Sequence, residues 1–177
     1  MLWSRQISSG DIFSVVLVTA EVGVSLYRLV NLEVIYRELK ETLTKVHTRQ
    51  YCHHDVSPTN IILVEDAEFK IKPILIDWGL ATKFGDTSFG FSGNVLFSSV
   101  RYDTATSIPY NGSYKYSGED DLESLIYSIC YVNHGLPWGD LQIDEARKIN
   151  KARSSTFDIC GELKFLFEDL QALRSIV

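Results

Sequence analysis

The stretch His53-His54-Asp55-Val56-Ser57-Pro58-Thr59-Asn60 concentrates residues able to do chemistry, and Asp77-Trp78-Gly79 adds a second acidic turn further on. Asp55 is a carboxylate that can accept or orient a hydroxyl proton lying within hydrogen-bond reach. Asn60 and Asp77 offer an amide oxygen and a carboxylate, hard donors of the kind magnesium takes in small number alongside water. A base beside a divalent cation suits phosphoryl transfer, which needs positioning and charge neutralisation more than covalent help. Asp and Asn are also common turn formers, so residue type alone leaves a purely structural role open.

The surrounding pattern supplies elements to hold these groups. Ile61-Ile62-Leu63-Val64 and Phe69 to Ile76 read as strands leading out of the first turn and into the second. Upstream, Leu32, Ile35, Leu39, Leu43 and Val46 recur at helical spacing over residues 32–46, with Asn31 as N-cap and Glu41–Lys45 on the wet face. Residues 121–133 form the most apolar helix, through Leu122, Leu125, Ile126, Ile129 and Val132, and acidic Asp120 and Asp121 suit its start. Two further helices are expected over 143–153 and 162–174; the basic Arg147, Lys148, Lys151 and Arg153 of the first read as a solvated face. Ile12 to Val18 is a strand broken at residues 19–23, residues 1–11 are a partial strand or ragged start, and residues 80–92 make a mobile loop.

Bulk properties narrow the class. A chain of 177 residues with 45% apolar and 23% charged residues is expected to form one α+β domain with a real core. Its net charge of −6 argues against a nucleic-acid or anionic-membrane binder. Three cysteines, Cys52, Cys130 and Cys160, show no metal spacing and suit a reducing compartment, cytoplasmic or nuclear. His47, Cys52, His53 and His54 do not have the convergent spacing that zinc requires. No run has membrane-helix length, and Asp11, Ser14 and Thr19 spoil the Ile12 to Ala20 run as a secretion signal.

The order H-x-D-x-x-x-x-N, strand, strand, D-x-G resembles the phosphotransfer core of protein kinases. Gly93-Asn94-Val95-Leu96-Phe97-Ser98-Ser99 is similar to the G-T-x-x-Y-x-S segment of the casein kinase I and vaccinia-related kinase group. Asp120-Asp121-Leu122-Glu123-Ser124-Leu125-Ile126-Tyr127 and Leu136-Pro137-Trp138 resemble the D-D-L-E-S-L-x-Y and L-P-W signatures of that group. Fungal kinase families sharing the Asp-x-Ser loop are close rivals, and the resemblance runs from about Ile12 to Leu141. It implies a mainly helical large lobe over 24–177, with residues 1–23 as the last small-lobe strands and the adenine-binding hinge. It also implies ATP and Mg2+ as cofactors, with Asp55, Asn60 and Asp77 catalytic, Asn60 and Asp77 on the metal, and Glu21, Val22, Leu63 and Ile76 around the nucleotide. His53 would brace the loop, and Asp121 would hold its backbone from the buried helix.

Several positions depart from the family pattern. Ser57 stands in place of the catalytic-loop lysine, Asn94 in place of the threonine that bonds the catalytic aspartate, and Trp78 in place of Phe. His54 replaces the arginine that pairs with a phosphorylated loop, so activity is not expected to wait for that phosphate. Ile126 stands where the group has Gly. The sequence contains no glycine-rich phosphate loop, no V-A-I-K lysine strand and no helix bearing its partner glutamate. The expectation is therefore a serine/threonine kinase-like chain, truncated and weak or inactive alone, whose partner is a protein substrate or another kinase's small lobe. A silent pseudokinase binding module is the alternative, and a small-molecule phosphotransferase the third reading.

Overall fold

Helix α1 (Leu32–His47) starts at Asn31, whose extended backbone and side chain, accepting the Val34 N–H, satisfy one of the first-turn donors. Its stripe of Ile35, Tyr36, Leu39 and Leu43 is buried, while Glu33–Arg37 and Glu41–Lys45 pair on the wet face. The stripe packs against α3 (Gly118–His134), where Leu125, Ile126, Ile129 and Cys130 are fully buried. Burying an aliphatic side chain of this size stabilises by about 1.5–3 kcal/mol, so this seam dominates the core. Gly118 is required where the helices meet: a Cβ there would lie 2.6 Å from His47 Nδ1. A Ser117–Asp120 capping box sets the start of α3.

The computed structural model describes residues 3–9, 12–18, 23–26, 30–86, 93–106 and 114–175. Strands β1 (Trp3–Ser9) and β2 (Ile12–Val18) pair antiparallel, from Trp3 opposite Val18 to Ser9 opposite Ile12. A second sheet runs in the order β3 (Val24–Ser25), β5 (Ile61–Glu65), β6 (Ile71–Leu75), all antiparallel. Gly23 enters it where no side chain fits, since a Cβ would lie 2.5 Å from the Leu63 carbonyl oxygen. A short ribbon joins β4 (Tyr51–Cys52) to β7 (Thr82–Lys83). Helices α2 (Val100–Thr106), α4 (Asp144–Arg153), α5 (Thr156–Cys160) and α6 (Phe167–Arg174) complete the body. Among the described residues no helix is long and apolar enough to cross a membrane.

The expected α+β architecture, mainly helical with a few short strands, is what is found. Four local expectations change. Residues 1–11 contain a full strand. Phe69 is not in a strand: Asp66 Oδ1 accepts the Glu68 and Lys70 N–H groups, and the resulting turn puts Phe69 at φ 60° and 84% exposed. Of the loop expected over 80–92, residues 80–86 are held, because β7 pairs with β4 and the Phe84 N–H bonds the Gln50 carbonyl, and residues 87–92 lie outside the described residues. The last helix is shorter than 162–174, starting at Phe167 after a single 3-10 turn over Lys164–Leu166.

Candidate active site

Three elements bring the chemically capable residues together. The 53–60 loop leaves β4, makes a 3-10 turn at Pro58–Asn60, where proline fixes φ, and enters β5. The Ile76 N–H bonds the Asn60 carbonyl at 2.8 Å, so the residue before Asp77 is tied to the end of that loop. Asn60, only 9% exposed, donates through Nδ2 to the Asp55 carbonyl at 2.8 Å and to Asp55 Oδ2 at 2.7 Å. Asp55 Oδ1 accepts the Asn94 N–H at 3.1 Å. Both oxygens of Asp55 are thus oriented by fixed donors, and each keeps a lone pair for a further partner.

Asp77 is exposed, and its Oδ1 accepts the Gly79 N–H at 3.3 Å. It sits in the left-handed region at φ 59°, as do Gln50 at 63° and His54 at 71° around the same loop. Such backbone costs about 1–3 kcal/mol per residue and persists where surrounding contacts enforce it. Asn60 Oδ1 and Asp77 Oδ2 have no hydrogen-bond partner among the described residues. Both are hard oxygens of the kind magnesium takes together with water, and the Asn60–Ile76 main-chain bond sets their residues on adjoining turns.

Helix α3 grips the loop from below. Asp121, fully buried, accepts the His53 N–H at 2.7 Å, the His54 N–H at 3.0 Å and His47 Nε2 at 3.0 Å. Ser128 Oγ donates to the Val56 carbonyl. His53 is buried between loop and sheet: its Nδ1 accepts the Asp55 N–H at 3.2 Å, which assigns the proton to Nε2 for donation to the Ile76 carbonyl at 3.0 Å. Trp78 packs edge-on against its ring at 4.5 Å. His54 stacks on Tyr116 and bonds Thr82 Oγ1.

Burial lowers the pKa of both His53 and His54, against the opposing charge of Asp121. Their folded values lie below the unfolded value near 6.5, so the unfolded chain binds more protons just under that pH. Stability is therefore complete above about pH 6.5 and falls on acidification toward the lowered folded values. Denaturant titrations at a series of pH values should show unfolding coupled to uptake of roughly one to two protons below pH 6.5. A flat profile there would contradict neutral burial of this pair.

Other expected positions fall as follows. Leu63 is 3% exposed and belongs to the core beside Ile61, not to an open wall, because strand alternation turns it inward; Ile62 and Ile74 pair on the opposite, partly open face. Ile76 is half-buried on the strand end next to Asp77. Glu21 and Val22 lie outside the described residues. Ser57 is buried and its hydroxyl bonds Thr59 Oγ1, supplying no cation. Asn94 meets Asp55 through its main chain, while its own Oδ1 accepts the Leu96 N–H. An apolar hollow of about 260 Å³ behind the Asp77 turn is lined by Val46, Arg49, Tyr51, Trp78 and Ala81.

Sequence reasoning missed the polar network that fixes the 94–99 segment. Lys151 is fully buried and paired with Asp103 at 2.7 Å, whereas Ile143 and Ile149 of the same region are exposed. The basic face expected in water is in part turned inward. The spacing of Asp144, Arg147, Lys148 and Lys151 was the available signal, a helical stripe of charge where apolar residues would normally recur. Burial pushes the Lys151 ammonium down and Asp103 opposes it. Asp120, also fully buried, gathers Ser99 Oγ, Arg101 Nη2, Tyr114 OH and the Ser117 N–H.

Residues 8–133 match the family described as fungal protein kinase. A casein kinase 1-like protein, HD16, from Oryza sativa subsp. japonica is 32% identical over 115 residues. That alignment covers 58% of this chain and 15% of the rice protein, so the chain spans a small part of that relative's length.

Proposed function

This chain belongs to the fungal protein kinase family, and we propose that it is the large lobe of a serine/threonine protein kinase-like domain that moves the ATP γ-phosphate to a protein hydroxyl. In this reading residues 24–177 form that lobe and residues 1–23 carry the last small-lobe strands and the hinge, with Glu21 and Val22 at the adenine. Asp55 takes or orients the proton of the incoming hydroxyl. Asn60 Oδ1 and Asp77 hold Mg2+, and Ile76 with Ile62 floors the nucleotide in place of Leu63. Bound Mg2+ offsets the charge of the transferring phosphoryl group. His53 and Asp121 keep the loop in register, so Asp55 needs no rearrangement to meet a substrate.

The observation that carries this reading is the double anchoring of Asp55, by Asn60 Nδ2 on one oxygen and the Asn94 N–H on the other. It leaves the carboxylate fixed and still able to accept a proton. Ser57 in the lysine position offers the transferring phosphate no cation, so transfer is expected to be weak. A protein substrate, or a partner that covers the nucleotide, is the expected companion. The test is transfer of labelled γ-phosphate to a serine- and threonine-bearing protein, stopped by chelating Mg2+. Label appearing instead on a small-molecule hydroxyl, or on no acceptor even at saturating ATP, would remove the reading.

A further inference from the structure

Asn60 accounts for one oxygen of Asp55; the other depends on where the Asn94 N–H is held. The Asn94–Ser99 segment turns tightly, with the Phe97 N–H bonding the Asn94 carbonyl at 2.9 Å. Its carbonyls are gathered from the helical body. Lys151, its side chain 1% exposed, donates to Val95 O at 3.1 Å, Ser98 O at 2.9 Å and Ser98 Oγ at 2.9 Å, and pairs with Asp103 Oδ2. Trp138 Nε1 adds a bond to Leu96 O at 2.9 Å. A buried ammonium is tolerated only when fully paired, and here most of its partners belong to the one segment that reaches Asp55.

We propose that Lys151 is a positioning residue, which sets the Asp55 carboxylate by clamping the Asn94–Ser99 turn that presents the Asn94 N–H. It touches no reacting atom. The proposal rests on the reading of Asp55 as the base, yet the clamp can be measured without turnover.

In isotope-labelled 177-residue chain, the Asn94 amide should be protected from exchange by its bond to Asp55 Oδ1, and Asp55→Ala should remove that protection. The paired variant Lys151→Met with Asp103→Leu replaces the ion pair by apolar side chains, a change that buried pairs often tolerate. It should speed Asn94 amide exchange roughly tenfold or more, the size of one charge-assisted hydrogen bond. The His53 and His54 amides, held by Asp121, should stay protected. Ser98→Ala, which removes one Lys151 acceptor, should move Asn94 the same way by less, and it keeps the test valid if the paired variant does not fold. Unchanged Asn94 amide exchange in both would overturn the proposal. Faster Asn94 exchange in both variants of a chain whose unsubstituted form transfers no phosphate would support the clamp and remove the catalytic reading.

Discussion

Replacing Asp55 by Asn lowers phosphate transfer by roughly 10²–10⁴-fold, the usual worth of a positioned acid or base. The substitution keeps size and shape but removes the group proposed to take the hydroxyl proton. It also sets an amide NH2 against either Asn60 Nδ2 or the Asn94 N–H, since both are donors aimed at the present carboxylate. That mismatch costs about 1–3 kcal/mol of stability, enough to see by denaturation and far too little to unfold a typical domain. The loss should fall on kcat, with the nucleotide KM little changed, because the proton is handled only on the way to the transition state. Initial rates at saturating Mg2+ and ATP check it. Undiminished turnover would remove Asp55 from the chemistry.

Replacing Asp121 by Ala destabilises the chain by about 3–5 kcal/mol, the cost of removing one partner from a buried charged network. The reasoning is a count of donors. Asp121 lies wholly out of water, and two backbone N–H groups and the His47 ring end on it. Without the carboxylate, the His53 and His54 amides are left buried and unpaired. Asp121→Asn should cost less, because its remaining carbonyl oxygen can still take one or two of those donors. Urea unfolding measures the difference, and amide exchange at His53 and His54 localises it. A change within about 0.5 kcal/mol, the range of an ordinary surface substitution, would mean that α3 does not hold the loop.

The parts of the fold legible from sequence were those with a strong period. Leu32, Ile35, Leu39 and Leu43 announced α1 to within a residue, because an amphipathic stripe has one way to be buried. The helix through Leu125 and Ile129 was equally plain, although its polar residues Asp120, Asp121, Glu123, Ser124 and Ser128 are buried as well. Periodicity could not reveal that, since their burial depends on donors from distant loops. Phe69 was misplaced because its apolar side chain suits a strand, while Asp66 dictated a turn.

At the candidate site, the spacing of Asp55, Asn60 and Asp77 marked a loop and a turn that the Asn60–Ile76 main-chain bond ties together. It could not show that Asn94 would serve Asp55 through its main chain, because a backbone N–H carries no side-chain signature. Leu63 is buried one strand position away from the partly open Ile62, because a single step along a strand changes the face. Lys151 was the largest surprise. A lysine is almost never fully buried without a partner, and its partner Asp103 lies on a different helix.

The most direct measurement concerns the shared neighbourhood of Asn60 and Asp77. Mn2+, added with ATP to isotope-labelled chain, broadens the signals nearest to it. The Asn60 side-chain NH2 and the Asp77 and Gly79 amides should vanish first, and Asp77→Asn should abolish that order. Broadening that begins at exposed acids such as Glu33 or Glu68, with Asn60 and Asp77 still sharp, would contradict a metal-nucleotide site between them.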